Sequence, residues 1–114
     1  MWAAHDDSRE KFFVSECVRK MEQYPEAAAC HPGTAMFVEG QEKMLCTTNL
    51  DSFEGVTGLV DRYRETLKHA PSTIMYGLFR SSIMRKTGMY QRVIASDIVF
   101  LQELSIYGDF IQIP

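Results

Sequence analysis

No apolar run in the sequence approaches the roughly 18 residues that a membrane-spanning helix needs, so no span is expected. There is no excess of basic residues either. Lys and Arg number 12 against 15 Asp and Glu, a net charge of -3. That balance gives no reason to expect nucleic acid or an anionic membrane surface as a partner. Cysteine is scarce. Cys17, Cys30 and Cys46 are odd in number and far apart, and they match neither a zinc spacing nor a redox pair. All three are therefore expected to be reduced and structural, which suits a cytoplasmic location. The start, Met1-Trp2-Ala3-Ala4-His5-Asp6-Asp7, lacks the basic flank and apolar core of a signal peptide. Internal repeats, low-complexity tracts and linkers are missing too.

What is present is the composition of one folded domain. The chain has 114 residues, 46% of them hydrophobic and 24% charged, enough for one modest core. Met1 to Ala4 reads as the end of a buried strand. Phe13, Val14, Cys17, Val18 and Met21 make one apolar face of a helix. Asp7 and Glu10 have the spacing of a capping box in front of it, and Tyr24-Pro25 ends it. Ala27 to Cys30 and Thr34 to Val38 read as strand, interrupted at His31-Pro32-Gly33. Gly40 supplies a turn, after which Met44 to Thr48 can pair back. Val56, Leu59, Val60, Tyr63 and Leu67 repeat as the buried stripe of a second helix. Asp51 and Glu54 have capping spacing before it, and Gly55 and Gly58 weaken its first turns.

The stretch from Tyr76 to Pro114 organises the rest. Thr73 to Phe79 is apolar on both alternating faces and reads as a central strand. Ser81 to Lys86 is a short helix with Gly88 as its C′ residue. Asp97 to Tyr107 is the third main helix, with Ile98, Leu101, Leu104 and Tyr107 on its buried stripe. Phe110 to Ile113 is a last strand. The expected fold is α/β, a mixed sheet packed with about three main helices.

These residues carry a resemblance over nearly the whole chain. Trp2-Ala3-Ala4-His5-Asp6-Asp7 resembles a strand ending in an acidic metal motif. Phe12 to Pro25 resembles the helix after it, and Cys30 to Gly40 the next strand and turn. Tyr76-Gly-Leu-Phe-Arg80, Ser96-Asp97 and Tyr107-Gly-Asp-Phe-Ile-Gln-Ile-Pro114 resemble an acceptor-side half. Together they are similar to the second half of a family 2 glycosyltransferase with the GT-A fold, a half-Rossmann-like arrangement. On this likeness the nucleotide-binding half is expected to be absent from the chain.

The resemblance implies a reaction. A divalent metal, magnesium or manganese, is held by Asp6 and Asp7 and bridges the diphosphate of a nucleotide-sugar donor. Asp97 removes the proton of a sugar or glycan acceptor hydroxyl as its oxygen attacks the anomeric carbon, with inversion. Ala4 stands where the family motif begins with Asp, and Ser96 where many relatives have an acid. The residues themselves leave a second reading open at each position. Asp7 has N-cap spacing, and Asp97 also sits where a helix cap would. His5 and His31 read as polar residues at strand ends, and His69 as a helix C-terminal residue. Arg80 reads as a salt-bridge partner at a strand end or a phosphate contact. Met75, Met84 and Met89 read as core. Two functions stay open: a transferase active only inside an intact parent, or a free-standing binding or oligomerising module. A half-fold leaves unpaired strand edges or an apolar face at Trp2 and Thr73, so a homo-oligomer is expected.

Overall fold

The computed structural model describes residues 1–3, 8–37, 40, 44–48, 53, 55–69 and 72–114. The element order is α1 (Phe13–Gln23), β1 (Ala27–Pro32), β2 (Thr34–Phe37), β3 (Met44–Thr48), α2 (Leu59–His69), a 3₁₀ helix (Ser72–Tyr76), β4 (Leu78–Phe79), α3 (Ser81–Met84), α4 (Ser96–Tyr107) and β5 (Asp109–Ile113). The class is α/β, as expected. A three-stranded mixed sheet has the order β4-β1-β5. β1 runs parallel to β5 and antiparallel to β4. β2 and β3 form a separate antiparallel pair, with Gly40 at φ +78° in the turn.

The expected central strand is corrected here. Thr73 to Tyr76 belongs to the 3₁₀ helix, and only Leu78–Phe79 is strand, at the edge of the sheet. The true centre is β1, whose residues Ala27 to His31 are all buried. An apolar run this short fits a buried turn as well as a strand. The turn wins because the Gly77 N–H bonds back to Ile74 O at 2.9 Å. The strand does not run through to Thr34 either, since β2 pairs only with β3. Residues 1–3 are not in a strand. With neither Trp2 nor Thr73 in a strand, edge pairing at those residues cannot drive assembly.

Helices cover both faces of the sheet. On one side α1 buries Phe13, Cys17 and Met21 against Cys30 and Ile113. On the other, α4 buries Phe100, Leu101 and Leu104 against Ala28, Ala29, Ile74, Phe79 and Phe110. Phe100 takes the place expected for Tyr107, which is exposed. Met75 is core, while Met89 is exposed. α1 starts at Phe13 after a backbone turn from Glu10 O to the Phe13 N–H. Its N-cap is Phe12, so the Asp7–Glu10 box does not begin it; Asp7 itself lies outside the described residues, as do Asp51 and Glu54. Gly55 and Gly58 precede α2, at φ +77° and +85°, and so do not weaken it. Gly88 is not left-handed, and α3 gives way to backbone turns through Thr87.

The sheet's centre is crowded. A Cβ at Gly77 would sit 2.6 Å from Cys30 O, and one at Gly108 would sit 2.5 Å from Glu26 O. Only glycine lets these two backbone segments lie so close to β1.

α2 turns its expected buried stripe outward. Leu59, Val60, Tyr63 and Leu67 are exposed, while Thr66 is buried. The inner face is held by polar contacts instead. Arg62 donates to Ser105 O at 2.9 Å and to Asp109 Oδ1 at 2.6 Å. That ion pair, with the Arg62 side chain only 12% exposed, ties α2 to α4 and β5 at once.

Arg80 has neither expected role. Its Nε donates to Ala27 O at 2.8 Å, and its Nη2 to Met21 O and Tyr24 O at 2.8 and 3.2 Å. Helix ends leave carbonyls without intrahelical partners, and a cation there also suits the helix dipole. Arg80 therefore caps the C-terminus of α1 from a distant part of the chain. Arg80→Met should cost about 2 kcal/mol, since hydrogen bonds to charged groups are worth roughly that much. Arg80→Lys should recover only part, because an ammonium cannot span three carbonyls as a guanidinium fork does. Urea unfolding of the three proteins measures this; equal midpoints would show that Arg80 caps nothing.

Candidate functional site

β1 and β5 end side by side, with His31 opposite Gln112 and Pro32 opposite Ile113. Ligands of open α/β sheets collect outside the carboxyl ends of the strands. Two cavities open at this end, and Gly33, Ile113 and Pro114 line both. One, of about 570 Å³, follows β5 from Asp109 to Pro114 between Lys20 and Tyr24 on one side and Phe53 and Val56 on the other. The second, of about 720 Å³, has Arg9, Glu10, Glu16, Thr34, Thr73 and Tyr76 in its lining beside Phe12 and Phe13.

Asp97 is the second residue of α4 and is half-buried. It is not the helix cap. Ala95 holds that position, in the left-handed region at φ 55° and ψ 45°, with no side-chain cap bond. Among the described residues the Asp97 carboxylate has neither a hydrogen bond nor an ion pair. Gly108 alone joins α4 to β5, so the helix runs back along the sheet. Its first turn therefore points toward the end where β5 finishes. Asp97 nevertheless lines neither cavity.

Asp6 and Asp7 lie outside the described residues. Ala4 and His5 lie outside them too, while Trp2 before and Arg9 after this stretch are described. Trp2 packs edge-on against Phe79 and Phe100, with centroids 5.5 and 5.4 Å apart, and tilted against Tyr90 at 6.1 Å. Arg9 Nη2 donates to Trp2 O at 2.8 Å, which draws the two ends of the acidic stretch together. Phe100 lies one helical turn beyond Asp97. Trp2, four residues before Asp6, is thus anchored on the helix that carries Asp97. Among the described residues no three of His, Cys, Asp or Glu gather as a metal site. The donor chemistry of two adjacent carboxylates suits magnesium or manganese, which prefer oxygen.

Sequence reasoning missed the Arg9 latch, for which the sequence holds no signal. It also placed His31 as a polar strand-end residue, whereas the ring is buried, at 1% exposure. Its Nδ1 lies 3.3 Å from Pro32 O, and Nε2 has no partner among the described residues. Burial pushes its pKa down to about 4, with the Pro32 carbonyl offsetting this in part. Cys17 Sγ donates to Cys30 O at 3.7 Å. A hydrogen bond with Cys30, then burial, push the Cys17 thiol up, while the same bond pushes the Cys30 thiol down.

His31 gives the fold an acid-labile point. The unfolded imidazole takes up a proton near pH 6.5, while the folded one resists until about pH 4. The unfolded state therefore binds more protons in this window, and stability falls as the pH drops through it. The full loss is about 3 kcal/mol. Unfolding measured from pH 7 to 4 should show this slope, and His31→Met should flatten it. A slope unchanged in the variant would mean that other groups cause it.

No protein-family model matches the chain, and neither a curated protein nor a solved structure does so.

Proposed function

We propose that this chain is the acceptor-side part of an inverting sugar transferase resembling family 2 glycosyltransferases. In an intact parent, nucleotide-binding strands would supply the donor site. What supports the reading is the junction just described. Trp2, four residues before Asp6, packs edge-on against Phe100, one turn from a half-buried Asp97 that has no partner among the described residues. In that role the Asp97 carboxylate accepts the proton of the acceptor hydroxyl. The acceptor oxygen forms its bond to the anomeric carbon, and the bond to the nucleoside diphosphate breaks with the electron pair on the leaving group. Asp6 and Asp7 would hold a divalent metal, which offsets charge on the diphosphate.

Asp97→Asn separates base from scaffold. The carboxylate makes no capping bond, so the substitution should shift stability by no more than about 1 kcal/mol, the worth of a charge near a helix N-terminus. In the parent enzyme, kcat should fall on the order of 10²–10⁴, with donor binding kept. Asp6→Asn should first weaken manganese-dependent binding of a nucleoside diphosphate, followed as a melting shift. An unchanged kcat in Asp97→Asn would remove the base from the scheme.

One observation favours the second reading, an oligomerising module. The Leu59, Val60, Tyr63 and Leu67 stripe of α2 is exposed beside two ion pairs of mixed sign, Asp61–Arg64 and Glu65–Lys68. Such a face suits a second copy of the same helix. Light scattering should then give a homo-oligomer that Val60→Ser with Leu67→Ser converts to monomer. A monomer for the unmodified chain at high concentration would end this reading.

A further inference from the structure

The net charge of -3 hides a strong segregation. Between Glu65 and Asp97 there is no acidic residue, while Lys68, Arg80, Arg85, Lys86 and Arg92 all fall there. Within that stretch, the loop between α3 and α4 turns apolar side chains out to water. Ile94 is 97% exposed, Tyr90 55% and Val93 49%. Arg85, Lys86 and Arg92 are exposed as well.

We propose that the loop from Gly88 to Ala95 is a membrane-docking tip. Tyr90, Val93 and Ile94 enter the boundary between headgroups and acyl chains of an anionic bilayer. Arg85, Lys86 and Arg92 lie against the lipid phosphates. The proposal is independent of the transferase reading.

Several observations favour a lipid surface over a protein partner. The apolar groups fall within five residues of one exposed loop. A protein partner would need a matching pocket for Ile94, whereas a bilayer accepts a protruding side chain without one. The charged residues of the loop and of the end of α3 that face water, Arg85, Lys86 and Arg92, are all basic. Arg85 and Arg92 make no ion pair among the described residues, and Lys86 sits over the Tyr107 ring at 5.9 Å. The nearest acids by sequence and contact are spoken for or set back. Glu103 accepts from the Gly88 N–H at 2.8 Å, and Asp97 is half-buried. The exposed stripe of α2, by contrast, is bordered by both signs. Apolar insertion plus basic residues over anionic headgroups is the combination that holds peripheral proteins to membranes. Tyrosine suits the interface, having an apolar ring and a polar tip.

The loop is also shaped in advance. Met89 N–H donates to Thr87 Oγ1 at 3.1 Å, and Val93 N–H to Gln91 O at 3.0 Å. Met89 and Ala95 both hold left-handed backbone, at φ 56° and 55°, which a non-glycine residue keeps only where its surroundings impose it. Preorganisation of this kind lowers the ordering cost of docking.

The test is flotation of the chain with phosphatidylcholine vesicles, with and without phosphatidylglycerol, at low and high salt. Binding should require phosphatidylglycerol and weaken with salt. Ile94→Ser should lower the partition coefficient about tenfold, as expected for one aliphatic side chain left out of the apolar layer. Arg85→Gln and Arg92→Gln should each lower it about fivefold. All three sites are exposed, so circular dichroism and melting should not change. No binding to either vesicle overturns the proposal. So does equal binding to neutral vesicles, or binding that Ile94→Ser leaves unchanged. If Ile94→Ser abolishes self-association while vesicles capture nothing, the loop is a protein contact and the proposal is wrong.

Discussion

The close approach of backbone to β1 is the constraint on which the rest depends. Three consecutive alanines, Ala27 to Ala29, form the first half of the central strand, and all are fully buried. Their small side chains leave room for α1 on one face and α4 on the other. Gly77 and Gly108 then bring the segments on either side to within contact of the same strand, at points where a Cβ would overlap a carbonyl oxygen. Parallel pairing with β5 follows from this, because Gly108 lets the chain leave α4 and enter the sheet at once. The carboxyl ends of β1 and β5 therefore share one side of the molecule, where both cavities open.

Two arginines extend this arrangement by bonding across the fold. Arg80 gathers the carbonyls at the end of α1, and Arg62 holds α2 to Ser105 and Asp109. Both act between segments far apart in sequence. In each case the guanidinium fork matches several acceptors at once, which a lysine could not do. Holding α2 through Arg62 frees its apolar residues from the core. That leaves the stripe to face outward, where it bears on assembly rather than on folding.

The transferase reading and the exposed loop draw on the same end of one element. α4 carries Asp97 in its first turn, and the loop before it ends in the left-handed Ala95. Trp2 bridges Phe79, Phe100 and Tyr90. The chain start, the helix and the loop are thus joined by one aromatic cluster, so the position of any one depends on the other two.

The sequence by itself determined the α/β class, the end of α1 at Tyr24-Pro25, the pairing of Met44 to Thr48 with the strand before it, and the helix that bears Asp97. Local rules suffice for these, because proline geometry, apolar period and turn residues act over a few neighbours. Only tertiary structure decided that β1 and not Thr73 to Phe79 is the centre, since an apolar run this short is compatible with strand or buried turn alike. Tertiary structure also decided that Leu59, Val60, Tyr63 and Leu67 face water. Helical period shows that apolar residues share a face, but what that face meets depends on a partner elsewhere, here the Arg62 contacts to α4 and β5. For the same reason Arg80 was legible only as a cation near a strand. Its acceptors lie at Met21, Tyr24 and Ala27, and no spacing in the sequence relates them to it.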